Sequence, residues 1–207
     1  MITIVEPYNA DRYANLLEQM YRLRARIFGD RLKWEVLVTN GMERDRFDDV
    51  GPTYLIDADE DTGLVRGSLR LLPTTGPTLL ADLFSDTIPA NASISAPAIW
   101  ECTRFCVDSG HLVPQELIFG SSILICALGE LALKVGIQSI LGNFDSTMLR
   151  LYRKLGCRVH ILGATQRYGS TIYLGSFPVS TRVVGELKAT QRLFYRFATE
   201  RREAMVA

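Results

Sequence analysis

Charges set inside apolar strands are the first sign of chemistry in this sequence. Arg70 interrupts Ser68-Leu69-Arg70-Leu71-Leu72, and Glu101 and Arg104 interrupt Trp100-Glu101-Cys102-Thr103-Arg104-Phe105-Cys106. Burying a charge is costly unless it is paired, so these three imply either a buried structural ion pair or a polar network lining a cleft. Glu101 and Arg104 are odd-spaced, and a regular strand turns them to opposite faces. They converge only through a bulge or by facing different neighbours. Asp45 and Asp48, in Met42-Glu43-Arg44-Asp45-Arg46-Phe47-Asp48-Asp49, share a face on a helical turn but not on a strand. Two carboxylates together hold an ammonium group or take its proton; the alternative is a solvated charge run. Arg24, Phe28 and Trp34 place a cation beside two aromatic rings, which suits an anionic or sulfonium-bearing ligand or the plain packing of a helix end on its loop. Arg150, Arg153 and Lys154 share one helical face and offer a dock for an acidic or phosphate-bearing partner, or only a solvated surface.

These side chains need elements to position them. Ile2–Val5 reads as a strand. Asn9 is placed to cap a helix running to about Ile27, with Tyr13, Leu16, Leu17, Met20, Tyr21 and Leu23 as its apolar stripe. Residues 29–52 are polar, and the charge run within them is loop or helical turn. Tyr54–Asp57 and Leu64–Leu72 form a hairpin, Leu79–Phe84 one or two helical turns, and Ile99–Val107 a strand. A helix from about Glu116 to Val135 ends at Gly136. Strand Ile137–Leu141, helix Thr147–Leu155, strands Val159–Leu162 and Thr171–Leu174 follow. Ser180 caps a final helix with Val183, Leu187, Phe194 and Phe197 on one side. Hairpins followed by a β-α-β unit predict an α/β (α+β) fold with one mixed sheet and helices on both faces. No linker divides the 207 residues, so the chain reads as a single domain.

Composition excludes several classes. Hydrophobic residues make up 47% and charged residues 22%, ordinary for a globular chain able to bury a core without staples. Net charge is zero, which argues against a basic nucleic-acid binder, but residues 1–108 carry −6 and residues 109–207 carry +6. That split suggests an acidic partner for the second half. Cys102 and Cys106 lack the second pair of a metal site, Cys126 and Cys157 are too far apart to supply one, and neither His111 nor His160 has a nearby ligand. No metal is expected, and the four cysteines read as reduced thiols of a cytoplasmic protein. The N-terminus has no signal-peptide pattern. Gly120, Ser121, Ser122, Gly129, Glu130 and Lys134 break the longest apolar stretch, making it a buried core helix rather than a membrane span. Nucleophile-elbow, P-loop and dinucleotide motifs are missing.

The ordered set Arg24, Phe28, Trp34, Asp45, Asp48, Arg70, Phe84, Glu101 and Arg104, within LRARIFGDRLKWEV, GMERDRFDD, GSLRLL and WECTRFCVD, resembles the signature of the acyl-homoserine-lactone synthases, the autoinducer synthases of bacterial quorum sensing. The likeness is dense over residues 20–108, thinner to about 175, and does not cover residues 180–207. The resemblance implies a fold like that of the GNAT-type N-acetyltransferases, a mostly antiparallel sheet split into a V. It implies an acyltransferase that joins S-adenosylmethionine to an acyl thioester, on acyl carrier protein or coenzyme A, releasing 5′-methylthioadenosine. S-adenosylmethionine is then a substrate, no cofactor is required, and the acyl group arrives on phosphopantetheine.

By that resemblance Arg24, Phe28, Trp34, Arg104 and Phe105 surround S-adenosylmethionine, Asp45 and Asp48 orient its ammonium, Arg104 its carboxylate, and Arg70 pairs with Asp48 or Asp45. Glu101 is the expected base. The acyl chain is expected among Phe84, Cys102, Thr103, Phe105, Gly142, Phe144, Met148 and Leu151. Arg150, Arg153 and Lys154 are expected to meet acidic acyl carrier protein. Gly142 stands where some members carry a Thr that favours 3-oxo chains, and Thr103 where many carry Ser. The acetyltransferase pyrophosphate loop is absent after Val107, which weakens a coenzyme A donor. A monomer is the working expectation. The alternatives are a GNAT-type N-acyltransferase using acyl-CoA on a small amine, which predicts no dependence on S-adenosylmethionine, and a non-catalytic module binding acyl carrier protein.

Overall fold

A computed structural model describes residues 1–108, 110 and 114–206, with side chains described for all of these but 114, 115 and 197–206. His111 and the Phe197 side chain lie outside the described residues. The chain runs through β1 (Ile2–Val5), a 3₁₀ stretch (Pro7–Tyr13), α1 (Ala14–Arg24), a π-helical turn (Ala25–Arg31), β2 (Val38–Thr39), β3 (Met42–Glu43), a 3₁₀ turn (Arg46–Asp48), β4 (Thr53–Ala58) and β5 (Val65–Pro73). It continues with α2 (Leu79–Leu83), β6 (Ile99–Val107), α3 (Pro114–Val135), β7 (Ser139–Phe144), α4 (Ser146–Lys154), β8 (His160–Arg167), β9 (Ser170–Pro178) and α5 (Thr181–Val206).

Seven strands form one sheet in the order β1-β4-β5-β6-β7-β9-β8. Every neighbouring pair is antiparallel except β6–β7, which α3 connects as a parallel crossover. Helices cover both faces. On one, Met20, Leu23, Ile27 and Phe28 pack on Tyr54, Ile56, Val65 and Cys106. On the other, Leu124, Leu128 and Ala132, spaced by four along α3 so that they form one stripe, pack on Leu55, Leu69 and Leu71. Residues Glu116–Val135 are long and apolar enough to cross a membrane by length and composition. That stripe lies against the sheet and makes α3 the core helix of the fold. Fully burying each such leucine contributes about 1.5–3 kcal/mol.

Two features of the sheet shape the site. β6 pairs with β7 only from Ile99 to Glu101, opposite Ser139 to Leu141. Beyond that point β6 continues to Val107 and β7 to Phe144 without pairing to each other, so the sheet splits just past Glu101. The second feature is a bulge. Ser68 pairs with Cys106 and Arg70 with Thr103, leaving one extra residue on β6, and Arg104 there takes a left-handed φ of 52°. The bulge resolves the odd spacing of Glu101 and Arg104.

Several boundaries differ from the sequence reading. The first helical segment begins after Glu6, not Asn9; the Asn9 side chain instead accepts from the Glu6 N–H at 2.9 Å. α1 then passes into a π-helical turn, closed by Leu32 N–H donating to the Ile27 carbonyl at 2.9 Å. The short β2–β3 hairpin falls in the region read as loop, although its turn, Asn40-Gly41, has both residues in the left-handed region that favours this dipeptide. β8 and β9 extend well beyond their expected ends and meet at Tyr168-Gly169, both left-handed.

Candidate active site

Six charged side chains from five segments meet on the α1 face of the sheet. Arg24 comes from the end of α1, Glu43 from β3, Asp45 and Asp48 from the adjoining 3₁₀ turn, Arg70 from β5 and Arg104 from the β6 bulge. The 3₁₀ turn places both aspartates toward Arg70. Asp45 precedes it and accepts from the Phe47 N–H at 2.9 Å, while Asp48 accepts from the Asp45 N–H at 2.9 Å. Arg24 grips both oxygens of Asp48 at 2.8 and 2.9 Å and turns its Nε to Glu43. Arg70 donates to Asp45 at 2.6 and 3.0 Å, to Asp48 at 2.8 Å and to the Thr103 hydroxyl at 3.0 Å. Arg104 donates to Glu43 at 3.0 and 3.1 Å and to Asp45 at 2.8 Å. The Tyr54 hydroxyl donates to Asp48 at 2.7 Å and meets that of Tyr21 at 3.1 Å.

The cluster therefore holds three cations and three anions. Arg24, Arg70, Glu43 and Asp48 have no exposed side-chain surface, whereas Asp45 is 19% exposed and Arg104 11%. Burial by itself pushes Asp48 up, but Arg24 and Arg70 hold it well below the usual carboxylate range. Burial likewise disfavours charge on Arg24, and Asp48 and Glu43 more than offset this, keeping it charged. Phe28 and Trp34 stack at 5.0 Å with 22° between their planes, and the Arg104 guanidinium lies 5.5 Å from the Phe28 ring. Phe28 is buried and Trp34 is 53% exposed. Glu43 was not singled out from the sequence. Its signal is its spacing of two from Asp45, which suits one face of extended chain.

Glu101 stands where the sheet divides, fully buried. Its two oxygens accept the N–H groups of Leu79 and Leu80 at 2.9 and 2.8 Å, at the start of α2. Burial raises its pKa to about 7, with those N–H groups and the charges of Arg70 and Arg104 opposing the shift.

The other face of the split carries an apolar cavity of ≈ 60 Å³ bordered by Cys102, Gly142, Tyr152 and Phe177, with α3 and α5 behind them. Phe144 joins this side through Tyr152, at 5.2 Å between ring centroids. Met148 and Leu151 lie half-buried on the adjacent α4. Of the two places expected for Phe105, beside S-adenosylmethionine and beside the acyl chain, it takes the second side, 6.2 Å from Tyr152 and within the α3 cluster; the bulge residue Arg104 turns to the ion network while its neighbour turns away. Thr103 is expected in the acyl pocket but belongs to the network as the acceptor for Arg70. Phe84 is also separated from this cavity: it packs with Leu80, Leu141 and Leu174, and Leu141 and Gly142 point to opposite faces. Arg24 is expected at the ligand but sits behind Asp48 with no exposed surface. Asn143 Oδ1 is a buried acceptor with no partner among the described residues. Arg150, Arg153 and Lys154 are exposed on α4. Among the described residues no group of three or more His, Cys, Asp or Glu side chains is placed to hold a metal ion.

A mixed sheet parted between two parallel strands, with helices on both faces, is the architecture of the N-acetyltransferases. An aminoglycoside 6′-acetyltransferase of type Ii superimposes with a TM-score of 0.53 at 14% identity, over 86% of this chain and 98% of that one. The autoinducer synthase family model matches residues 9–187, which takes in the first turns of α5. An acyl-homoserine-lactone synthase of Rhizobium etli is 36% identical over 175 residues, 83% of this chain and 81% of that protein. The coenzyme A-dependent acyl-homoserine lactone synthase BjaI, solved with S-adenosylmethionine and isopentyl-CoA, superimposes with a TM-score of 0.82 at 25% identity, over 92% of this chain and 89% of that one. The chain belongs to the autoinducer synthase family, the acyl-homoserine-lactone synthases.

Proposed function

We propose that the protein makes an N-acyl-L-homoserine lactone from S-adenosylmethionine and an acyl thioester. The observation that carries this reading is the ion network with one acid and one base open at its mouth. Asp45 and Arg104 match the ammonium and carboxylate of an amino-acid substrate, and the Phe28–Trp34 stack offers aromatic surface to a sulfonium. Arg24, Arg70, Glu43 and Asp48 hold those two groups in position from behind. BjaI, solved with S-adenosylmethionine, supports the substrate class.

The ammonium must lose a proton before it can attack. Glu101 is the proposed acceptor, through a water molecule, since each oxygen keeps a lone pair beyond its backbone bond. The amine then attacks the thioester carbonyl, the carbon–sulfur bond breaks, the thiol leaves with a proton, and an amide forms. Next, a carboxylate oxygen attacks Cγ, displacing 5′-methylthioadenosine. The carboxylate's negative charge and the sulfonium's positive charge cancel, leaving neutral lactone and neutral thioether. The acyl chain lies in the cavity beside Cys102 and Gly142. Acyl carrier protein in the cytoplasm is the proposed donor, docked on Arg150, Arg153 and Lys154, which are exposed together.

Incubation with S-adenosylmethionine and parallel pools of acyl carrier protein thioesters and acyl-CoA tests the reading. Equal amounts of 5′-methylthioadenosine and lactone are expected, with faster turnover on the carrier protein. Acyl transfer without S-adenosylmethionine would overturn it.

A further inference from the structure

We infer that Arg167 and Asn143 are positioning residues for Glu101, acting through the strap of chain from α2 to Ile88, an inference that rests on the reading of Glu101 as the base. The strap crosses the split in the sheet on the ion-network face. Its first end is held on β6, where the Leu79 and Leu80 N–H groups donate to Glu101 at 2.9 and 2.8 Å. Its body lies across the split, with Leu80, Phe84 and Ile88 packed with Leu141 of β7 and Leu174 of β9. Glu101 therefore takes its backbone partners from a segment seated on the strands beyond its own. Whatever fixes that seat fixes the two N–H groups.

Asn143, Leu174 and Gly163 stand opposite one another across β7, β9 and β8 and so share a face. The Asn143 amide donates to the Thr87 hydroxyl at 3.1 Å, and that hydroxyl donates to the Phe84 carbonyl at 2.6 Å. Gly163 lets the Thr87 backbone lie directly on β8, since a Cβ there would collide with the Thr87 carbonyl. Arg167, farther along β8, donates to the Leu83 carbonyl, pairs with Asp86 at 3.2 Å and sets its guanidinium 5.5 Å from the Phe84 ring. These contacts converge on residues 83–87, just past the turn of α2 that meets Glu101. The charges that act on Glu101 are Arg70 from β5 and Arg104 from β6. On the strap itself Asp82 pairs with Arg46 and Asp86 with Arg167. Arg167 and Asn143 thus reach Glu101 only by holding the strap in place.

The test is the pH profile of kcat. Arg167→Ala and Asn143→Leu should each move the rising limb to higher pH, because the N–H bonds they loosen favour the charged carboxylate. The shift is up to about one unit for each N–H bond that Glu101 loses, and the plateau at high pH should stay at the wild-type value. Arg167→Lys should return the limb part of the way. Arg192→Ala, on an exposed part of α5, should move nothing. High salt should leave the shift in place, whereas a direct effect of the lost Arg167 charge would be screened. pH-difference infrared spectra of the Glu101 carboxyl, identified by its loss in Glu101→Gln, should show the same shift without substrate. A limb left in place in either folded variant, whether or not the plateau falls, overturns the inference. The infrared midpoint decides for a variant too inactive to assay. Arg167 is half-buried, so Arg167→Ala decides the matter even if Asn143→Leu fails to fold. A rising limb that survives in Glu101→Gln overturns Glu101 as the base instead.

Discussion

Asp48 accepts from Arg24, Arg70, Tyr54 and the Asp45 N–H with no exposed surface of its own. Removing its charge leaves two buried guanidinium groups short of a partner. Asp48→Asn should therefore cost about 3–5 kcal/mol of stability, read by urea unfolding. Because its folded pKa is depressed, Asp48 stabilises the fold at pH values above its ordinary value of 3.8. That contribution fades as pH falls below this value, and the acid-side slope should be shallower in the variant. At Glu101 the shift has the opposite sign. Turnover should rise as pH increases through about 7. Glu101→Gln should lower kcat by about 10²–10⁴-fold and flatten that limb; unchanged turnover would remove Glu101 from the role of base. Gly142 places no hydroxyl beside the proposed acyl position, and a Cβ there would meet only the Cys102 carbonyl at 3.4 Å and Phe177 at 4.0 Å. Product mass spectrometry should show unsubstituted or 3-hydroxy chains ahead of 3-oxo ones.

Small elements carry much of the positioning. The β2–β3 hairpin brings Glu43 under Arg24 and Arg104, and its turn depends on Gly41 at a φ of 73°. Gly41→Ala forces a side chain into the left-handed region, at about 1–2 kcal/mol, with its Cβ 3.1 Å from Arg22. The variant should raise KM for S-adenosylmethionine more than it lowers kcat, measured by steady-state kinetics. The Asn40-Gly41 turn signal is present in the sequence, yet two-residue strands show no alternation by which to recognise them. The β6 bulge was legible only as a problem of spacing. Which side of Arg104 would carry the extra residue depends on how β5 and β6 pair, a non-local choice. The same choice sent Phe105 to the α3 face, one of its two expected places, and Thr103 to the ion network, against expectation.

Across the molecule, the charge split acquires a spatial meaning. Much of the acidic half's special charge is consumed by its own arginines within the site, while the α4 cations point to solvent. Reversing Arg150, Arg153 and Lys154 to Glu should raise KM for acyl carrier protein thioesters and leave that for S-adenosylmethionine, with the effect vanishing at high salt. The sequence by itself determined the composition of the site and the class of fold. Charges that interrupt apolar strands must find partners, and the strand and helix periods show which elements present them. Only the tertiary structure decided how the partners are shared. It paired Arg70 with both aspartates, withdrew Arg24 behind them, brought in Glu43, and left Asp45 and Arg104 at the opening. It also made α5 a wall of the cavity. Such outcomes depend on strand register and helix packing between residues far apart in the chain, which local pattern does not encode.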